Sequence, residues 1–207
     1  MQWKFKGYIK ETDHKFLNHF VLNYEVTKDD GTIKDTQYFL ASRNINPKDL
    51  RIYKQDFQRA DAVLIGAYTF IDGKLYLLLE KQFRQALNHE VISFPAGLCD
   101  KKDKDIISAA KRELKEETGY EATDYFLLLP PSPTSEGLSD ECNAVITCKL
   151  LEKGQENKEE FEDISAKLYS VEEVKELLND NKTIFSNSAR LLILYFIEKY
   201  KNQIEEN

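Results

Sequence analysis

Glu113, Glu116 and Glu117 fall within KRELKEETG, residues 111–119, beside Arg112 and just ahead of a glycine. On a helix each residue turns the side-chain direction by about 100°, so Glu113 and Glu117 share a face and Glu116 lies next to them. Carboxylates grouped this way suit a hard divalent cation, which prefers oxygen ligands and keeps room for water and phosphate oxygens. The carbonyl of Ala96, in the Pro-Ala-Gly turn ahead of the helix, could complete such a shell. A plainer reading competes. Glu and Lys are strong helix formers that fill exposed faces everywhere, and Arg112 can offset Glu116 at i, i+4. Taken alone, the run reads as a solvated face; its neighbours decide otherwise.

Those neighbours must position the carboxylates. The pattern predicts a helix over 105–118, capped by Asp105 or Asp103 and closed by Gly119. Ile107, Ala110 and Leu114 give it one apolar stripe. VISFPAG reads as a short strand stopped by Pro95 and Gly97. Before it, AVLIGAYTFIDGKLYLLLEKQFR reads as two strands about Asp72-Gly73, apolar enough to be covered on both faces. Further upstream, two β-rich runs flank Asp29-Asp30-Gly31 as a hairpin, and residues 44–61 form a connector with a short helix. After the carboxylate helix come YFLLLPPSPTSEGLSDE, a strand and loop, then the strand NAVITCKLL, an acidic stretch and two helices, SVEEVKELLND and SNSARLLILYFIEKY. The fold class is α/β, a mixed sheet layered with helices, plus a small N-terminal antiparallel β unit.

Composition narrows the function. A net charge of −7 gives no basic footprint, which argues against nucleic acid or an anionic membrane as partner. The cysteines, Cys99, Cys142 and Cys148, are odd in number and lack metal-ligand spacing, as expected in a reducing compartment. The N-terminus has no signal-peptide run, and Leu191 to Ile197 is too short to span a bilayer. A soluble, cytoplasmic protein is expected. His14, His19 and His89 show no ligand spacing.

GLCDKKDKDIISAAKRELKEETGY resembles the Nudix box: glycine, five residues, glutamate, seven residues, then Arg-Glu-aliphatic-x-Glu-Glu-x-Gly-aliphatic. Arg112, Glu113, Leu114, Glu116, Glu117 and Gly119 match its second half. The first half departs: Gly97 lies one residue too far upstream of Arg112 and the expected glutamate is missing, with Asp103 and Asp105 as its candidate replacements. In family members that glutamate chiefly supports the loop. EKQFRQALNHEVISFPAGLCD, SPTSEGLSDE, EEFEDI and SNSARLLILYF resemble segments of the ADP-ribose pyrophosphatase subfamily, so the resemblance covers about residues 63–197.

The resemblance implies a Nudix-like α/β/α sandwich over 61–207 and an N-terminal β unit and connector over 1–60 that could form a homodimer. It implies Mg²⁺- or Mn²⁺-dependent hydrolysis of a nucleoside diphosphate linked to another moiety, with ADP-ribose giving AMP and ribose 5-phosphate. Another nucleotide sugar, a dinucleotide, or a non-hydrolytic nucleotide sensor are the alternatives. Metal ligands would be Ala96, Glu113, Glu116 and Glu117, with Glu116 and Arg112 also in the catalytic set. The general base would come from the acidic stretch, Glu160 first, then Glu159 and Glu162. Arg84, at a strand end, could hold a phosphate. Ser132 to Glu141 would form a substrate-facing loop, with Ser132 and Glu141 as contacts. Phe20, Tyr24 and Tyr38 are candidates for stacking on adenine.

Overall fold

The computed structural model describes residues 1–154 and 163–205. The chain divides into two compact units, one of Met1–Asp61 with Pro131–Asn143, the other of Ala62–Pro130 with Ala144–Asn207.

In the first unit, β1 (Gln2–Lys10), β2 (Asn18–Thr27) and β3 (Ile33–Ser42) form an antiparallel meander. The turn at 28–31 closes through the Gly31 N–H on the Lys28 carbonyl, where the Asp-Gly signal placed it. Phe20, Leu22 and Leu40 pack with Leu50 into a small core. Leu50 comes from the connector, which holds a 3-10 turn at Pro47–Asp49 and a single helical turn, α1 (Arg51–Lys54). Arg51 is buried there, and every arm of its guanidinium is used. Nε donates to the Asp140 carbonyl at 2.7 Å, Nη1 to the Asp56 carbonyl, and Nη2 to the Arg59 carbonyl at 2.8 Å and Asp61 Oδ2 at 2.6 Å. Residues 131–143 are tied in further by the Ala41 amide on the Leu138 carbonyl and by Tyr38 Oη on the Glu136 carbonyl.

The second unit is built on a seven-stranded sheet of order β10-β5-β4-β9-β8, with β6 beside β5 and β7 beside β4. Its strands are β4 (Ala62–Ile71), β5 (Lys74–Arg84), β6 (His89–Ser93), β7 (Ala96–Leu98), β8 (Tyr120–Pro133), β9 (Cys142–Lys153) and β10 (Ile164–Ser170). The helices are α2 (Ile106–Thr118), α3 (Val171–Asn179), α4 (Asn187–Lys199) and α5 (Lys201–Glu205). Side chains alternate across a strand, and here both faces are covered. Leu64, Leu77 and Leu79 pack against Val174, Ile193 and Phe196 of α3 and α4. Val63, Ile65 and Leu78 pack against Ala109, Ala110 and Leu114 of α2. This is the expected helix–sheet–helix sandwich.

Three local expectations change. Gly97 does not end a strand; it lies inside β7, opposite Val63 of β4, and only Pro95 interrupts the run. The strand from Tyr120 continues through Pro130, Pro131 and Pro133 at the edge of the sheet, a position where strands tolerate proline. A further strand, β10, follows the acidic stretch and pairs antiparallel with β5.

Candidate active site

The site is assembled at the start and along one face of α2. Asp105 takes an extended conformation and caps the helix: its Oδ1 accepts from the Ser108 amide at 2.7 Å, and Ser108 Oγ accepts from the Asp105 amide at 2.8 Å. This reciprocal cap satisfies donors that the first turn leaves open. At the other end Gly119 adopts φ 73°, a left-handed geometry in which its amide closes on the Lys115 carbonyl. With both ends fixed and Leu114 fully buried, the rotational setting of the helix is determined.

That setting turns the glutamates away from bulk water by unequal amounts. Glu117 is 5% exposed, the Glu113 side chain 14%, and the Glu116 side chain 43%. Glu117 Oε2 accepts the Ala96 N–H at 3.2 Å, so the contact seen at Ala96 is through its amide. The Glu113 carboxyl lies over Gly97, where a Cβ would come within 2.0 Å of Cδ. Only glycine leaves that space. An exposed helix face has no such partners, so the solvated reading of KRELKEETG fails at Glu113 and Glu117, while Glu116 keeps much of its contact with water.

Arg112 gathers the site. Nη1 donates to Glu113 Oε1 at 2.8 Å and to Glu116 Oε2 at 3.0 Å, while Nη2 donates to the Leu98 carbonyl at 2.9 Å. Its remaining contact is with Asp103, Nε to Oδ1 at 3.1 Å and Nη2 to Oδ2 at 2.9 Å. The Arg112 hydrogen bonds hold the Asp103 carboxyl below the usual aspartate range, and the carboxylates around Arg112 push its guanidinium further up. Asp103 and Asp105 have therefore separated their duties, one gripping the arginine and the other capping the helix.

Among the described residues, no three Asp, Glu, His or Cys side chains form a closed cation site. Arg112 draws Glu113 and Glu116 together, and Glu117 turns to the Ala96 amide. The donor set nonetheless suits a hard divalent cation: three carboxylates at a glycine-opened turn, with no sulfur or imidazole among them. The acidic segment holding Glu159, Glu160 and Glu162 lies outside the described residues.

The other expected site residues fall as follows. Arg84 ends β5 opposite His89, and no ion pair to it is found among the described residues. Ser132 lies at the exposed end of β8, and Glu141 accepts from Arg43 Nε at 3.1 Å; both belong to the first unit. Within that unit, a cavity of about 690 Å³ is lined by Trp3, Tyr24, Tyr38 and Phe57. Of the aromatic candidates, Tyr24 and Tyr38 line it, whereas Phe20 is fully buried in the small core. Trp3 shares this lining. Its only sequence signal was the alternation Trp3, Phe5, Lys4, Lys6, which marks an aromatic face of β1.

A carboxylate helix thus lies clasped to a glycine turn on one face of an α/β/α sandwich. The Nudix domain matches residues 58–189, well over half of these 207 residues, and the chain belongs to the Nudix family. An ADP-ribose pyrophosphatase from Saccharomyces cerevisiae is 46% identical over 74 residues, 34% of this chain and 30% of that protein. An ADP-ribose pyrophosphatase from Bacillus subtilis is 35% identical over 92 residues, 44% of this chain and 48% of that protein. The chain thus spans between 30% and 48% of the length of these curated relatives. The crystal structure of an ADP compounds hydrolase superposes with a TM-score of 0.69, covering 98% of this chain and 96% of that one. At 15% identity, that likeness speaks for the fold.

Proposed function

We propose that the protein hydrolyses the diphosphate bond of a nucleoside diphosphate joined to another group, with ADP-ribose the foremost substrate. Water adds across the bond and yields AMP and ribose 5-phosphate. The observation carrying this reading is Glu117 against Ala96 and Glu113 against Gly97, with Glu116 drawn beside Glu113 by Arg112. The two ADP-ribose pyrophosphatases among its relatives support the choice of substrate.

Glu113, Glu116 and Glu117, with the Ala96 carbonyl, would hold Mg²⁺ or Mn²⁺. When bound, the cation would neutralise diphosphate oxygens and make a water more acidic. Arg112 orients Glu113 and Glu116 through charge-assisted hydrogen bonds. Glu160 is assigned as the general base, with Glu159 and Glu162 next. Arg84 is assigned to a phosphate, since its planar fork suits that geometry. Ser132 and Glu141 are assigned to the substrate-facing loop. Tyr24 and Tyr38, with Trp3, offer aromatic surface for adenine. A homodimer acting in the cytoplasm completes the reading. Among the described residues Cys99, Cys142 and Cys148 form no disulfide, which suits a reducing compartment, and no helix is long and apolar enough to cross a membrane.

The test is phosphate-coupled hydrolysis of ADP-ribose, other nucleotide sugars and dinucleotides, each with Mg²⁺ or Mn²⁺. ADP-ribose should be turned over with the highest kcat/KM. Faster turnover of another diphosphate would keep the chemistry and change the substrate. Binding of every ligand without turnover of any would make the protein a sensor and end the enzymatic reading.

A further inference from the structure

The loop ahead of α2 is where the chain departs from its family, and there the geometry selects one of two aspartates. Asp105 is committed to the helix cap through Ser108. Asp103 instead meets Arg112 with both carboxylate oxygens, at 3.1 and 2.9 Å. Asp103 is itself held by a tight turn, its Oδ2 accepting from the Asp100 amide at 2.7 Å and its own amide donating to the Asp100 carbonyl at 3.0 Å. Its side chain is 9% exposed, so this contact is largely out of water.

The consequence reaches the glutamates. With Nε and Nη2 taken by Asp103 and the Leu98 carbonyl, Arg112 has one nitrogen left, Nη1, and shares it between Glu113 and Glu116. A guanidinium is planar and rigid, so fixing two of its nitrogens fixes the third. Eight residues, Lys104 to Lys111, separate Asp103 from Arg112, one more than the family spacing. A loop one residue longer, with a side chain one methylene shorter than glutamate, brings a carboxylate onto Arg112.

We propose that Asp103 is a positioning residue. By gripping Arg112 it sets Glu113 and Glu116, and so determines how tightly the site takes a divalent cation. This rests on the metal-dependent reading above. Outer partners that orient metal ligands typically contribute roughly 10–100-fold in affinity.

The test is Mn²⁺ binding to the whole chain without substrate, followed by electron paramagnetic resonance of the free ion. Thermal melts in chelator are recorded in parallel. Asp103→Asn should weaken Mn²⁺ binding by about tenfold or more. Asp103→Glu should stay within a few-fold of the parent, and Asp105→Asn, which keeps a capping side chain, should bind as the parent does. Parent-like binding by Asp103→Asn, even with a lowered melting temperature, would reduce Asp103 to a purely structural role and overturn the proposal. So would Asp103→Glu falling as far as Asp103→Asn. Absence of Mn²⁺ binding by the parent would overturn the metal-dependent reading and this inference with it, an outcome distinct from the other two.

Discussion

Helices α2 and α3 carry nearly the same chemistry to opposite ends. RELKEE in α2 and VEEVKEL in α3 both mix glutamates with lysine and an apolar stripe, and both helices begin with a reciprocal cap. In α3, Glu173 closes the cap on Ser170 and pairs with Lys167, while Glu172 and Glu176 face solvent. In α2, Glu117 and Glu113 are folded against Ala96 and Gly97, and Glu116 is held by Arg112. Composition does not separate the two helices. The backbone opposite them does: a strand turn whose glycine leaves room for a carboxylate, against open water.

The contrast can be broken at its strongest point by Glu117→Gln. Turnover should be abolished while the thermal melt stays nearly unchanged, since an amide oxygen can still accept the Ala96 N–H. A variant retaining most of its activity would return α2 to the class of α3. Next in size is Gly97→Ala, which places a Cβ 2.0 Å from the Glu113 carboxyl carbon. Displacing that carboxylate should lower kcat/KM on the order of a hundredfold, measured with ADP-ribose. A smaller effect is expected on the other helix. Ser170→Ala removes the α3 cap and should cost about 1 kcal/mol in urea unfolding, with kcat/KM unaltered.

The acid limb offers a finer comparison. Arg112 depresses the folded-state pKa of Asp103, so its contribution is fully present above the unfolded value, near about 3.9. It is lost as pH falls through the lower folded value. The stability gap between parent and Asp103→Asn should therefore be flat at neutral pH and shrink below about pH 4, as followed by pH-dependent unfolding. The smallest effect belongs to Glu176→Gln on the exposed side of α3. It should change stability by less than about 0.5 kcal/mol and leave Mn²⁺ binding untouched.

Much of this was legible in the sequence because it is local. Periodicity locates α2, and the residue types at its ends supply Asp105 or Asp103 as its cap and Gly119 as its stop. What stayed hidden depends on distant chain. Asp103 and Asp105 were indistinguishable until Arg112 was placed in space. Gly97 read as a strand stopper because its use, making room for Glu113, lies across sixteen residues of sequence. The strand β10 was masked by its short length and by lysine and small residues between Ile164 and Leu168. Phe20 and Tyr24 looked alike as aromatics, but the register of β2 and the arrival of Leu50 bury the first and leave the second beside a cavity. Membership of residues 131–143 in the first unit left no local mark at all.

That last feature bears on biosynthesis. The buried guanidinium of Arg51 needs the carbonyl of Asp140, and Asp61 Oδ2 accepts both from Arg51 and from the amide of Cys142. A nascent chain that has emerged only as far as residue 61 lacks these partners, and a buried charge without them is costly. The amino-terminal sheet, although translated first, must wait some eighty residues for its last pieces. The usual order, in which the leading module folds while the ribosome makes the next, is therefore reversed: the trailing part of the chain finishes the leading one.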